Sequence, residues 1–379
     1  MTSLLIISFS DLQSDARLRR QVAALVDRYD VTTAGFGTQP LPGVVRHITL
    51  PLPPTGAARR RRMAVEGVLL RLRQYRLLHA TAPMYRAARR ALRGVRADIV
   101  LANDLDAAPL AYAAAPAECV HVDLHEFFPG LHDDNPRWAR LRAPYNGWAV
   151  RRFAAPAAST TTVAAEIADR YRAYGLDSGV VTNASHGRVL PVRPTGNPIR
   201  LVHSGAALAD RHLETMIEAV ALTTADIELT LHLMPNDPGY IERLRTRAAE
   251  IGPRVRIAPP VPQTELVDTL AQHDVGIHIL PATSTNNTLA LPNKFFDFVQ
   301  ARLGVIVGPT PAMAGLTERG GFGAVSADFT PRAVADVLDE LTPRLVDSWK
   351  HAADAAAGEL ASEHQVGGWV RAIDAVSRR

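Results

Sequence analysis

Of the 42 lysine and arginine residues in this chain, only Lys294 and Lys350 are lysines. Where arginine serves almost every cationic position, Lys294 stands out. It sits in Leu291-Pro292-Asn293-Lys294-Phe295-Phe296-Asp297, after the polar run Thr283-Ser284-Thr285-Asn286-Asn287-Thr288. A helix that begins at Pro292 offers free N–H groups and the positive end of its dipole. The lysine adds a compact charge suited to phosphate. Asp297, one turn on, can accept hydrogen bonds from sugar hydroxyls. The segment reads either as a site for a phosphorylated sugar or nucleotide, or as a capped helix with one surface lysine.

Three other loops carry candidate chemistry, each just after a β-rich run. Phe9 to Arg17 holds Asp15, a natural helix N-cap, and Arg17 and Arg19, which could face a cleft. Asp123-Leu124-His125-Glu126 places His125 and Glu126 at a strand end, the edge where parallel sheets bind ligands. A neutral His125 there would donate to a sugar hydroxyl or a developing charge; a purely structural histidine is the alternative. His203-Ser204-Gly205 through Arg211 joins a strand to a helix by small residues, a nest of phosphate size. Asp104-Leu105-Asp106 has an Asp-x-Asp form that some sugar transferases use for a metal, but it reads better as a helix start capped by Asp104. No His, Cys and carboxylate set has metal-ligand spacing, and there is no nucleophile elbow or full Gly-x-Gly-x-x-Gly. No metal or cofactor is expected.

The elements that must position these residues alternate. Strands are expected at Leu4–Ser8, Asp30–Gly35, Ala97–Ala102, Cys119–Leu124, Ala158–Val163 and Val180–Thr182. Helices are expected at Ala16–Arg28, Asp104–Ala115, Pro136–Phe153 and Ala164–Tyr174. A Gly/Pro-rich passage from Asn183 to Pro198 breaks the pattern. It restarts with strands at Arg200–His203, Glu228–Leu233, Arg254–Ala258, Val275–Leu280 and Val305–Gly308. The helices between them are His212–Leu222, Tyr240–Ile251, Gln263–His273 and Pro292–Ala301. The tail Pro331–Arg379 reads as helical, with Trp349 and Trp369 as packing anchors. Such alternation means parallel sheets covered on both faces. The expected domains are 1–187 and 188–360, with a terminal helix over 361–379 returning to the first.

Composition sets bounds. The chain has 379 residues, which favours two domains, with 47% hydrophobic and 21% charged residues, a soluble-globular balance. One cysteine, Cys119, excludes a disulfide framework and suits the cytosol. No apolar run reaches the ~20 residues of a membrane span, and the N-terminus reads as a strand rather than a signal peptide. Net charge is only +4, yet residues 59–96 hold twelve arginines and one acid, Glu66. Val65, Val68, Leu69 and Leu72 recur among them at helical spacing. A solvated helix face is the preferred reading; docking on anionic lipid or an acidic acceptor is the other. No nucleic-acid partner is expected.

Taken together, these motifs resemble glycosyltransferase family 4, the retaining nucleotide-sugar transferases of GT-B fold, over most of the chain and in order. Ser14–Arg20 resembles the family's first loop and helix, and Asp123–Phe128 its D-x-H-E strand end. His203-Ser204-Gly205 with Arg211 resembles its diphosphate loop. Asp274–Ile277, Leu291–Asp297 and Gly304–Val307 resemble its donor-binding core. The resemblance implies two Rossmann-like doubly wound domains facing across a cleft. It implies transfer of a hexose from a nucleoside-diphosphate sugar to an acceptor hydroxyl on a glycolipid, polysaccharide or natural-product precursor, without a metal. Lys294 and Arg211 would hold the diphosphate, with Gly205 and Asn293 beside it. Asp297 would hold the ribose, and Asn287 and Thr288 the donor sugar or phosphates. His125 and Glu126 would lie at the reacting carbon, and Asp15 and Arg17 on the acceptor side. Leu289 stands at the first position of the family's paired-glutamate motif, and Asp297 at the second. An epimerase of the same fold and a non-catalytic sugar-nucleotide binder are the alternatives. The expected location is cytoplasmic, with peripheral membrane contact through 59–96.

Overall fold

The computed structural model describes residues 1–53 and 55–378. Arg379, the last residue of the expected helical tail, lies outside the described residues. The chain forms two compact units, each built on a parallel sheet.

The first unit has seven strands: β1 Ser3–Asp11, β2 Asp30–Phe36, β3 Arg46–Thr49, β4 Ile99–Asn103, β5 Val120–Leu124, β6 Ser159–Thr162 and β7 Ser178–Val180. Their order is β3-β2-β1-β4-β5-β6-β7, all parallel, so the winding direction reverses between β1 and β4. The central strands β4 and β5 are buried along their whole length, as a sheet covered on both faces requires. Leu4, Ile6, Leu18, Val22, Ile99 and Leu101 form the core on one face, joined by Ile373 and Val376 of the last helix, Gly367–Ser377.

The second unit has six strands: β8 Ile199–Ala206, β9 Ile227–Met234, β10 Val255–Ala258, β11 Val275–His278, β12 Gly304–Val307 and β13 Gly323–Val325. Their order is β10-β9-β8-β11-β12-β13, again parallel, and the reversal falls between β8 and β11. Open sheets of this kind bind ligands at that reversal, outside the carboxyl ends of the strands. Gly276 can lie in β11 only as glycine, because an added Cβ would fall 2.2 Å from the Phe298 ring.

The units divide at Thr182/Asn183 and at Gln365/Val366, whereas the sequence suggested 187/188 and 360/361. Hydrogen bonds explain the difference. Asn183 Nδ2 donates to the Leu291 carbonyl (3.4 Å), the Ser185 hydroxyl donates to Asp297, and Ser362 N donates to the Ser185 carbonyl (2.8 Å). These bonds tie both connecting segments to the second unit. Ser284–Asn286 belongs to the first. The strand expected at Val180–Thr182 is the edge strand β7, two residues earlier, because Thr160 pairs with Ser178. The helix expected over Asp104–Ala115 ends at Ala111, with Pro109 inside it. A proline there removes one backbone donor and shortens the helix.

Candidate functional site

The second unit holds the pocket in which most of the expected donor residues meet. Gly205 is the last residue but one of β8, His278 ends β11, and both line the pocket with the start of the helix Asn293–Gln300. Pro292 occupies the position before that helix, and no side chain caps its free N–H groups. A single 3-10 turn, Ala209–Arg211, closed by His212 in the left-handed region (φ 46°), sets Arg211 in the pocket wall. The cavity is about 300 Å³ and is lined by Gly205, Arg211, His278, Asn293, Lys294 and Asp297. Met234, Pro260, Val261 and Leu266 supply an apolar wall. The lining thus combines cations and N–H donors with apolar side chains. That arrangement suits a charged group joined to a flat ring.

Lys294 is the electrostatic centre. Its ammonium lies 3.4 Å from His203 Nε2. His203 Nδ1 donates to the Ile277 carbonyl at 2.9 Å, which leaves Nε2 as an acceptor facing the lysine. Burial and then Lys294 hold His203 neutral, with its pKa well below the ordinary value. Burial likewise lowers Lys294, to about 7, and Arg211 adds to the fall while Asp297 opposes it. Gly205 makes this packing possible. Its φ is +151°, and a Cβ there would fall 2.5 Å from Lys294 Nζ. The second lysine, Lys350, is fully buried and structural: its Nζ donates to Asp274 at 3.1 Å, and Arg200 binds the same carboxylate.

Asp297 lines the same pocket, is only 3% exposed, and accepts a hydrogen bond from Ser185. Asn287 and Thr288 are not among the residues that line the cavity. Asn287 Nδ2 turns back to Thr283 Oγ1 at 3.3 Å. The tight turn that ends this polar run, in which Ala290 N donates to the Asn287 carbonyl, takes up their neighbourhood.

In the first unit, the strand end after β5 is an ion network. Asp123 is fully buried and accepts from Arg17 Nε and Nη2 (2.8 Å each), Gln21 Nε2 (2.6 Å) and Thr161 Oγ1 (2.6 Å). His125 Nε2 lies 3.2 Å from the same carboxylate, and its Nδ1 lies 3.1 Å from Asp104. Burial alone would lower the His125 pKa, but Asp104 and Asp123 outweigh it and raise it to about 10. His125 is therefore an imidazolium at neutral pH, not the neutral donor that the sequence suggested. Burial alone would raise Asp123; Arg17 and His125 hold it well below the carboxylate range.

Three further expectations change. Arg17 is 4% exposed, under the Trp369 ring at 4.6 Å and in a fork to Asp123. A guanidinium so committed cannot serve an acceptor. Asp15 accepts from Leu18 N and caps the helix Ala16–Leu25, so its carboxylate also serves the fold. Asp104 does not cap its helix. It adopts φ 67°, and its carboxylate accepts from His125 N at 2.9 Å and pairs with the His125 ring. A non-glycine residue in that region is strained and is held by such contacts. Glu126 accepts from Asn286 Nδ2 at 2.6 Å, while Asn286 Oδ1 accepts from Phe127 N at 2.8 Å.

The two aspartates of the Asp-x-Asp segment diverge. Asp104 turns to His125, and Asp106 accepts from Tyr85 OH at 3.1 Å. Asp106 is exposed to solvent through a cavity of about 270 Å³, although protein packs densely around it. Arg62, Glu66, Tyr85, Arg142 and Tyr145 line that cavity with it. Burial raises the Asp106 pKa.

Reasoning from sequence missed His278, Ser185, Tyr85 and the apolar wall at Pro260 and Val261. His278 at the end of β11 and Pro260 and Val261 just after β10 had that position as a signal; Tyr85, inside the helix Pro83–Ala91, and the contact between Ser185 and Asp297, 112 residues apart, left none.

Neither the protein-family models nor the curated proteins yield a match to this sequence. Solved structures do. HepE of Anabaena, solved in complex with UDP-glucose, is 13% identical over 99% of this chain and 100% of that one, with a TM-score of 0.67. Sucrose-phosphate synthase of Thermosynechococcus elongatus is 13% identical over 99% and 100%, with a TM-score of 0.68. A trehalose 6-phosphate synthase of Burkholderia multivorans is 12% identical over 100% and 99%, with a TM-score of 0.67. At this identity the likeness is one of fold: the chain has the two parallel-sheet, Rossmann-like units of the GT-B glycosyltransferases.

Proposed function

We propose that the protein is a glycosyltransferase that moves a hexose from a nucleoside-diphosphate sugar to an acceptor hydroxyl. The observation that carries this is the cavity at the β8/β11 reversal. There Lys294, Arg211 and a helix N-terminus without a side-chain cap share one cavity with apolar side chains. Structures of the same fold solved with UDP and with UDP-glucose support UDP-glucose as the first donor to test.

In this reading the diphosphate lies against Lys294, Arg211, Asn293 and the Gly205 backbone. The base rests on Pro260 and Val261, and Asp297, steadied by Ser185, accepts from the ribose. Asn287 and Thr288 stand outside the lining of the cavity that would hold the phosphates. As the sugar–phosphate bond breaks, negative charge gathers on the leaving diphosphate. Lys294, protonated once the anion is bound, and Arg211 stabilise it without reorganising. This chain's residues need no metal for that step. Retention fits a leaving phosphate that itself takes the acceptor proton on the face it departs from.

His125 acts as a fixed positive charge at the strand end, its two N–H groups given to Asp104 and Asp123, and its field favours negative charge developing beside it. Glu126 serves through the loop that it shares with Asn286. The Asp106 cavity takes the acceptor, a small polyhydroxylated molecule or the sugar of a lipid-linked one, with Asp106 accepting its hydroxyls and Arg142 giving it charge. No helix of the described residues is long and apolar enough to cross a membrane, and the single cysteine suits a reducing cytoplasm.

A thermal-shift screen against UDP, GDP, ADP, CMP and dTDP and their sugar conjugates tests the donor. A ligand at about 100 times its Kd stabilises by about 2.7 kcal/mol. A shift with one nucleotide, larger with one sugar, followed by acceptor-dependent nucleotide release, is expected. Absence of any shift overturns the assignment, and turnover of the sugar without an acceptor points to an epimerase.

A further inference from the structure

The helix Gly56–Arg71 presents an outward face that the fold leaves uncovered. Its inner side is fixed: Arg62 donates to the Leu78 carbonyl (2.9 Å), Glu66 pairs with Arg142, and Leu70 is buried. Its outer side carries Arg61, Val65, Val68 and Leu72 at the four- and three-residue spacing of a single helical stripe. Val65 and Val68 are each 51% exposed and Leu72 is 63% exposed. Twelve large hydrophobic side chains are exposed among the described residues, and six of them fall between Leu52 and Leu77. Scattered single apolar side chains are ordinary; this concentration is not.

The rim of the stripe is cationic. Arg59, Arg60, Arg61 and Arg76 are exposed, and no ion pair joins them to a carboxylate among the described residues. At the end of the stripe a cleft of about 620 Å³ is lined by Arg71, Arg73, Arg137 and Arg140, with Leu70 and Leu141 beside them. No acid lines this cleft. Four guanidiniums over an aliphatic floor match a phosphodiester headgroup whose acyl chains continue into apolar surroundings.

From this geometry we infer that the surface over residues 56–77 docks on an anionic phospholipid membrane, with headgroup phosphates in the four-arginine cleft and Val65, Val68 and Leu72 immersed at the acyl boundary. Charge decides among occupants. A second copy of the chain would bring the same unpaired arginines against themselves, and an acidic protein would leave the aliphatic stripe unexplained. An interfacial segment needs both features on one face. Each arginine near an anionic surface is worth about fivefold in binding. The inference is independent of the donor and of the reaction.

Vesicle co-sedimentation of the full chain tests it. The vesicles are pure phosphatidylcholine, or phosphatidylcholine with about 30 mol% phosphatidylglycerol. Binding is expected only to the anionic vesicles, fading as salt shortens the screening length. Val65→Asp with Val68→Asp should weaken it by about tenfold or more at an unchanged melting temperature, because both side chains are already in water. Arg71→Glu with Arg73→Glu should do the same. Equal binding to neutral vesicles, absence of binding, or anionic-vesicle binding indifferent to both pairs of substitutions overturns the inference. So does a dimer in light scattering that the Val65/Val68 variant dissolves, since the face would then be covered by a second copy.

Discussion

Lys294 Nζ lies 3.4 Å from the unprotonated Nε2 of His203, and Gly205 leaves the space through which it gets there. A half-buried cation is thereby set against a neutral acceptor and near a second cation, Arg211, and desolvation lowers its pKa to about 7. On the proposed donor role, an incoming diphosphate supplies the charge that this arrangement lacks.

Lys294 should therefore couple protons to both binding and stability. Its folded pKa, about 7, is below the ordinary lysine value. The native state thus sheds a proton that the unfolded chain keeps, and stability rises with pH from about 7 to about 10. Nucleotide binding restores the proton. Calorimetry of UDP binding at pH 8 in buffers of different ionisation enthalpy should show uptake of about one proton. Lys294→Met should abolish that uptake, weaken UDP by two orders of magnitude or so, and raise the melting temperature of the free protein by a few degrees. A less stable variant that binds UDP normally would contradict this account.

Gly205→Ala tests the same packing from the other side. The new Cβ meets Lys294 Nζ at 2.5 Å in a backbone region open mainly to glycine. The expected cost is about 1–3 kcal/mol of stability. UDP affinity should fall by at least about tenfold because the ammonium is displaced. Both are read from denaturant melts and calorimetry, and unchanged affinity would show that Lys294 has no fixed place.

His125 should titrate far above an ordinary histidine. Asp104 and Asp123 raise it to about 10, so the stability it contributes is complete below about pH 6.5 and is lost as pH rises through about 10. The imidazole resonances of His125, assigned by comparison with His125→Gln, should stay in the cationic position from pH 6 to about 9. Activity should show no His125 limb in that range. A midpoint near 6.5 would remove the imidazolium from the mechanism.

Arg17→Met should be strongly destabilising, because it strips the buried Asp123 of its principal cation while His125 and two neutral donors remain. Breaking a buried pair costs about 3–5 kcal/mol, and a melting temperature within a degree or two of the parent would place Arg17 outside the fold's support. Nucleotide affinity, measured below the melting range, should stay within about twofold.

Local pattern alone was enough for the architecture. The alternation of short apolar runs with helical stretches required parallel sheets, and the start of a helix at Pro292-Asn293-Lys294 was legible too, because each depends on residues close in sequence. What the side chains near each site do was decided only by tertiary contacts. Arg17 meets Asp123 across 106 residues, Ser185 meets Asp297 across 112, and Lys294 meets His203 across 91. Those contacts turned an expected acceptor-side arginine into a buried counter-ion, a neutral histidine into an imidazolium and a surface lysine into a half-neutral one. Charge state depends on burial and on which carboxylates and cations lie within a few ångströms. The topology of the sheets sets those distances, and spacing along the chain does not.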